Sequence, residues 1–242
     1  MEIIANVQNL CKSYGQSEIL KNCCLTLNKG EIYSILGVNG AGKTTLMKLL
    51  LGLQKPDSGT ICVFGKNIAE RNSYLSDIGS MIEFPTFYEH LGAEKNLEIH
   101  LSYLQKKANI SNIIQKVGLS EAAGKPVSQY SLGMKQRLGI ARAIIHAPKL
   151  LILDEPMNGL DPVAITEMRT LLLSLALEGI TILLSSHIIS EVLNTSDKIG
   201  VMTGGRISEE FSVREKTPEY REKLETQIIK ILKEDSHGMD ET

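Results

Sequence analysis

The sequence predicts an α/β fold in which an antiparallel β segment precedes an open α/β core and a helical lobe interrupts that core. Three observations carry this expectation. Short apolar runs at Ile32–Leu36, Leu150–Leu153 and Thr181–Leu184 have strand length and polar flanks, as buried strands do. A glycine-rich loop, Gly37–Gly42, joins the first of these runs to a helical pattern. Between about Phe84 and Ala147 the β-branched runs give way to helical spacing.

Taken in order, Ile3–Leu10 is apolar-rich and Leu20–Leu27 partly alternates, so both read as strands. Asn28-Lys29-Gly30 is a turn into the strand Ile32–Leu36. Lys43–Leu53 places Leu46, Leu49, Leu50 and Leu53 on one helical face, and Lys55-Pro56-Asp57-Ser58-Gly59 ends it. Thr60–Phe64 and Ile78–Ile82 are strands. The inserted lobe, about 84–147, carries helices at Glu94–Lys106, Ser111–Val117 and Met134–Ile145. Beyond it lie the strand Leu150–Leu153, the helix Val163–Leu177 and the strand Thr181–Leu184. Ile199–Met202 and Arg206–Glu209 form a hairpin around Thr203-Gly204-Gly205. A terminal helix over Thr217–Glu234 follows, with residues 236–242 expected to be a flexible tail, so that 1–235 form a single domain.

Bulk properties narrow the function classes. The 242 residues are 43% hydrophobic and 22% charged, enough for a sizeable core. A formal net charge of -2, with no long Lys/Arg run, argues against a nucleic-acid partner. The four cysteines make no C-x-x-C pair or zinc spacing, so they read as reduced thiols. Residues Met1–Leu10 lack a signal-peptide layout, and no window approaches the ~20 apolar residues that a membrane span requires. Any work at a membrane would depend on other chains.

The sharpest feature is Gly37-Val38-Asn39-Gly40-Ala41-Gly42-Lys43-Thr44-Thr45, a G-x-x-x-x-G-K-[ST] loop between a strand and a helix. Glycines let several backbone N–H groups turn toward phosphate oxygens, and the helix opening near Gly42 adds its positive dipole end. Lys43 is then a point charge for β- and γ-phosphates, and the Thr44 hydroxyl is placed to ligate Mg2+. The second half of the site is Leu150-Leu151-Ile152-Leu153-Asp154-Glu155. Ligands sit at the carboxyl ends of strands in open α/β sheets. This places Asp154 to bind the metal through water and Glu155 to act as general base. An acidic pair after a strand is, taken alone, more often a turn or helix cap; the phosphate loop upstream makes it specific.

With these motifs in place, the sequence resembles the ABC ATPase family across nearly its whole length. Tyr130-Ser131-Leu132-Gly133-Met134-Lys135-Gln136-Arg137 is similar to the family's signature sequence. Asn158-Gly159-Leu160-Asp161 is similar to its D-loop, and His187 to its switch histidine. Tyr14 falls where the family stacks an aromatic ring on adenine. The resemblance implies a phosphate-loop NTPase that hydrolyses ATP, with a head-to-tail dimer around two ATP molecules. In that dimer Ser131 and Gly133 of one copy touch the γ-phosphate held by Lys43 of the other. It also implies separate transmembrane permease subunits, and a cytoplasmic location, peripheral on the inner face of the bacterial plasma membrane, with membrane contact only through the permease. From the residues themselves, Ser131 at a helix opening is a natural anion site.

Two positions depart from the common family form. The signature usually reads L-S-G-G-Q, whereas Leu132 replaces the first glycine and Met134 the glutamine. At the Q-loop, Glu83 stands where the family has glutamine, which puts a carboxylate beside the metal site or at the coupling to the permease. Both departures, with the run Glu83-Phe84-Pro85-Thr86-Phe87-Tyr88, resemble the branch that exports lantibiotics or bacitracin. Phe84, Phe87 and Tyr88, with Glu83 and Asp161, are candidates for interface or coupling contacts. A non-transport ABC protein usually needs a coiled-coil insertion or a second ATPase domain, and neither is present. A phosphate-loop kinase would not need the signature or the switch histidine.

Overall fold

The computed structural model describes residues 2–213 and 217–238. The chain opens with two long antiparallel strands, β1 (Ile3–Tyr14) and β2 (Ser17–Asn28). Both are longer than the apolar patterns indicate. Their register shifts between Val7 and Leu10, where Asn9 adopts a left-handed φ of 48°, and Asn22 does so on β2 at 50°. Such bulges break the alternation without ending the strand. The strand β3 (Ile32–Leu36) leads through the glycine-rich loop into helix α1 (Lys43–Leu50), which stops short of Leu53 because the chain turns at Gly52, φ 64°. Strands β4 (Ser58–Val63) and β5 (Lys66–Asn67) complete a four-stranded antiparallel sheet in the order β2-β1-β4-β5.

The strand β6 (Ile78–Met81) precedes the inserted lobe, which holds α2 (Ala93–Leu104), α3 (Ile110–Lys116) and α4 (Leu132–Ile144). The core resumes with β7 (Leu150–Leu153), α5 (Pro162–Leu177), β8 (Thr181–Ser186), α6 (Ile189–Thr195), β9 (Lys198–Thr203) and β10 (Arg206–Ser212). Helix α6 lies between β8 and β9, where the sequence reading places no element. The second sheet has the order β10-β9-β3-β8-β7-β6 and is parallel except for β10.

This six-stranded sheet separates two cores, and strand periodicity assigns its side chains between them. Ile32, Leu36, Leu151 and Leu153 join the core beneath the helical lobe, α5 and α6. Tyr33, Ile35, Leu150 and Ile152 join the core shared with α1 and the antiparallel sheet. Burial on both faces explains why these strands read as continuous apolar runs. Gly79 shows how closely the lobe seats: a Cβ there would lie 2.1 Å from the Ala143 carbonyl oxygen on α4.

The last helix, α7 (Pro218–Gly238), extends over 236–238, past the domain end expected at residue 235. Leu224 and Ile228 bury its inner edge, and no Gly or Pro interrupts it before Gly238. The remainder of the expected tail, 239–242, lies outside the described residues.

Candidate functional site

Three neighbouring strands deliver the site. Leu36 of β3 pairs with Ser186 of β8, and Leu153 of β7 with Leu184 of β8. Their carboxyl ends therefore present Gly37, His187 and the Asp154–Glu155 pair side by side, the arrangement expected for a ligand site in an open α/β sheet. The Gly37 N–H donates to the Ser186 carbonyl at 3.3 Å, tying the loop's start to the end of β8.

The loop curls at Gly40 and Gly42, with φ of 86° and 105°. Gly42 is doubly constrained, because a Cβ would also sit 2.9 Å from Leu20 Cδ2 and 3.1 Å from the Ile19 carbonyl oxygen. Val38, Asn39 and Gly40 are exposed at the rim, Ala41 and Gly42 are buried, and Thr44 and Thr45 are half-buried in the first turn of α1. Lys43 is only 6% exposed. Its ammonium donates to the carbonyls of Gly37 at 2.7 Å and Val38 at 3.1 Å, and lies 3.3 Å from Glu155 Oε1. The lysine thus folds back over its own loop, with a carboxylate for counter-charge.

The acidic pair is held by a chain of short bonds. Thr44 Oγ1 donates to Asp154 Oδ2 at 2.7 Å, and Ser185 Oγ donates to Asp154 Oδ1 at 2.6 Å. Ser185 Oγ also accepts from the Glu155 N–H at 2.9 Å. Glu155 turns out of the strand with a left-handed φ of 49°, and its Oε2 meets His187 Nδ1 at 2.8 Å. A non-glycine residue in that region is uncommon and marks a constrained position. Sequence reasoning gave Ser185 no role; its one signal was the pair of hydroxyls, Ser185 and Ser186, after the apolar run of β8. These oxygens are hard donors of the kind Mg2+ takes. Such a site uses one or two carboxylates plus substrate phosphates.

Glu83, just beyond β6, is ion-paired to a lysine of α1. Its carboxylate accepts from Lys48 Nζ at 2.7 Å, and this hydrogen bond holds the Glu83 carboxyl below its usual pKa while raising that of Lys48. Lys48, one turn beyond Thr44 on α1, went unnoticed in the sequence. Glu83 is exposed and also left-handed, with φ 61°. Beyond it, Phe84 is 67% and Tyr88 48% exposed, whereas Phe87 packs on the core beneath Arg142, whose guanidinium lies 5.0 Å from the ring centre. The buried Asn96 pins the following turn, accepting from the Tyr88 N–H and donating to the carbonyls of Tyr88, Leu91 and Gly92. Tyr14 is half exposed, and its hydroxyl donates to Gln54 Oε1.

Ser131, Gly133 and Asp161 form a second constellation. Ser131 caps α4, accepting from the Met134 N–H at 3.3 Å. Asp161 caps α5, accepting from the N–H groups of Val163 and Ala164 at 3.0 Å each. Together with Leu132, Gly159 and Arg137 they line a cavity of about 320 Å³ that includes no residue of the phosphate loop. Gly133 is buried, and its open Cα faces Ala164 and Leu160.

Fold and site together define a nucleoside triphosphatase with a phosphate-binding loop. The family model for ABC transporters matches residues 20–158, and the chain belongs to that family. It is 44% identical, over all of its own length and 82% of the relative's, to the bacitracin transport ATP-binding protein BcrA of Enterococcus faecalis. It is 48% identical to the lantibiotic transport ATP-binding protein SrtF of Streptococcus pyogenes, over 83% of this chain and 87% of that one. Its fold matches the dimeric structure of MJ0796, a bacterial ABC transporter cassette, with a TM-score of 0.79 and 25% identity, covering 88% of this chain and 100% of the other. The protein is the ATP-binding and ATP-hydrolysing subunit of an ABC transporter. No helix among the described residues is long and apolar enough to cross a membrane.

Proposed function

We propose that this subunit drives export of a lantibiotic or related antimicrobial peptide, giving immunity or resistance to the cell that makes or meets it. The observation that carries this reading is Glu83 at the Q-loop position, in a chain close in sequence to BcrA and SrtF. The test is to inactivate the gene in its host and measure resistance to a panel. Lost resistance to lantibiotics or bacitracin supports the reading; a defect confined to unrelated drugs or lipids overturns it.

In the hydrolytic cycle, Lys43 leaves Glu155 to hold the β- and γ-phosphates, and the N–H groups of the loop and of the opening turn of α1 cradle them. Release of Lys43 frees Glu155 to take the proton of the attacking water, and His187 orients that water and the γ-phosphate. Thr44 and Asp154 are the residues that would hold Mg2+, with Glu83 joining them once it leaves Lys48; the ion supplies charge neutralisation on the phosphates. Tyr14 stacks on the adenine ring. Ser131 and Gly133 act on the nucleotide of a second copy in a head-to-tail dimer, and Asp161 lies at that seam. Their separation from the phosphate loop, in a cavity of their own, supports a partner's nucleotide as their ligand. Phe84 and Tyr88, on a turn that Phe87 anchors to the core, meet the permease subunits, through which the protein is held at the inner face of the plasma membrane. Exposure of Phe84 and Tyr88 beside Glu83 supports that contact.

A further inference from the structure

Glu191 lies in the first turn of α6 and is only 6% exposed, which is unusual for a carboxylate without a cationic partner in direct contact. Its Oε2 accepts from Ser186 Oγ at 2.9 Å. The same hydroxyl accepts from the Ile188 N–H at 3.0 Å. Ser186 and Ile188 flank His187, so these two bonds hold the backbone on either side of the histidine whose Nδ1 meets Glu155. Ser186 also accepts at its carbonyl from the Gly37 N–H, which ties the same residue to the phosphate loop. The other Glu191 oxygen, Oε1, is buried and has no hydrogen-bond partner among the described residues. Burial raises the carboxyl pKa, with Glu155 adding to the rise and Ser186, His187 and Arg169 opposing it.

A side chain that merely tops a helix is normally left in water, where its second oxygen is satisfied. Here a carboxyl is buried at a cost, and its one hydrogen bond among the described residues goes to the hydroxyl that braces His187. We propose that Glu191 is a positioning residue for ATP hydrolysis, acting through Ser186 to set the place and orientation of His187. Without it, the buried Ser186 hydroxyl has no acceptor, its rotamer is free to change, and the brace on Ile188 loosens. A displacement of a reacting group by about 1 Å costs on the order of 100-fold in rate. The inference rests on the role of His187 given above.

The test is a mutant cycle on the full chain with Glu191→Ala, Glu191→Gln and His187→Ala. Glu191→Ala should lower kcat by roughly 10- to 100-fold with ATP affinity within about twofold of the parent. Glu191→Gln, which still offers Ser186 an acceptor, should recover most of that loss. In the His187→Ala background, Glu191→Ala should cost almost nothing further, because residues acting as a unit are not additive. The imidazole NMR signals of His187 in the nucleotide-free chain should shift or broaden in Glu191→Ala and return in Glu191→Gln. If Glu191→Ala fails to fold, Ser186→Ala takes its place in the same cycle. An equal loss with and without His187, or a fall in ATP affinity matching the fall in kcat, overturns the proposal. If His187→Ala itself keeps parental turnover, the role of His187 falls and this inference with it; if only Glu191→Ala is silent, the inference alone falls.

Discussion

Glu155→Gln changes one oxygen for an amide nitrogen, and the structure predicts three separate consequences. Lys43 is 6% exposed and has Glu155 Oε1 at 3.3 Å as its counter-charge. A partly solvated ion pair contributes up to about 1 kcal/mol. Glutamine keeps the dipole but not the charge, so about 1 kcal/mol is lost, and Tm without nucleotide should fall by about 2–4 °C for a chain of this length. ATP binding must displace Glu155 from Lys43 in the parent but only a neutral amide in the variant. The same ~1 kcal/mol should therefore reappear as about fivefold tighter ATP binding. Hydrolysis loses its base, which is worth about 10²–10⁴ in rate. Differential scanning fluorimetry, titration calorimetry and phosphate release measure the three terms, and size-exclusion chromatography with MgATP should reveal a trapped dimer. Turnover within tenfold of the parent would refute the assignment of Glu155 as base. ATP binding weaker than in the parent would refute the competition between Glu155 and phosphate for Lys43.

Other substitutions probe the remaining parts. Lys43→Ala should weaken ATP binding roughly 10- to 150-fold, from a charge-assisted contact of about 1.5–3 kcal/mol; calorimetry reads it, and unchanged affinity would place the phosphates elsewhere. Glu83→Gln should keep substantial ATPase activity, and Glu83→Ala should lose more, while both reduce peptide resistance in cells by more than they reduce hydrolysis in the isolated subunit. Abolition of hydrolysis by Glu83→Gln as complete as by Glu155→Gln would make Glu83 catalytic. Gly79→Ala drives a methyl to 2.1 Å from the Ala143 carbonyl oxygen, and overpacking of this kind costs about 1–3 kcal/mol. A chemical denaturation curve should show that loss, and an unchanged midpoint would mean that α4 can move away from β6 without penalty.

What the sequence determined by itself was the part of the molecule written in local pattern. Apolar runs of strand length located β3, β7 and β8, because strands buried on both faces admit no polar alternation. The phosphate loop was legible because its glycines, lysine and threonine act within one continuous segment. Asp154 and Glu155 were legible because the end of a buried strand is where an open α/β sheet presents its ligand groups. The tertiary structure decided what depends on contacts between distant segments. The 2.7 Å bond from Thr44 to Asp154 and the place of Ser185 between Asp154 and Glu155 follow from the pairing of β3 and β7 with β8, an order that no local pattern specifies. Lys48 and Glu83 are 35 residues apart in sequence, and only the fold brings them together. Glu191, on a helix that the sequence reading does not place, meets Ser186 only through the burial of α6. Side-chain chemistry is carried by each residue alone, but its partner and its exposure to water are properties of the packed chain, and these decide which charges do chemistry and which only hold them in place.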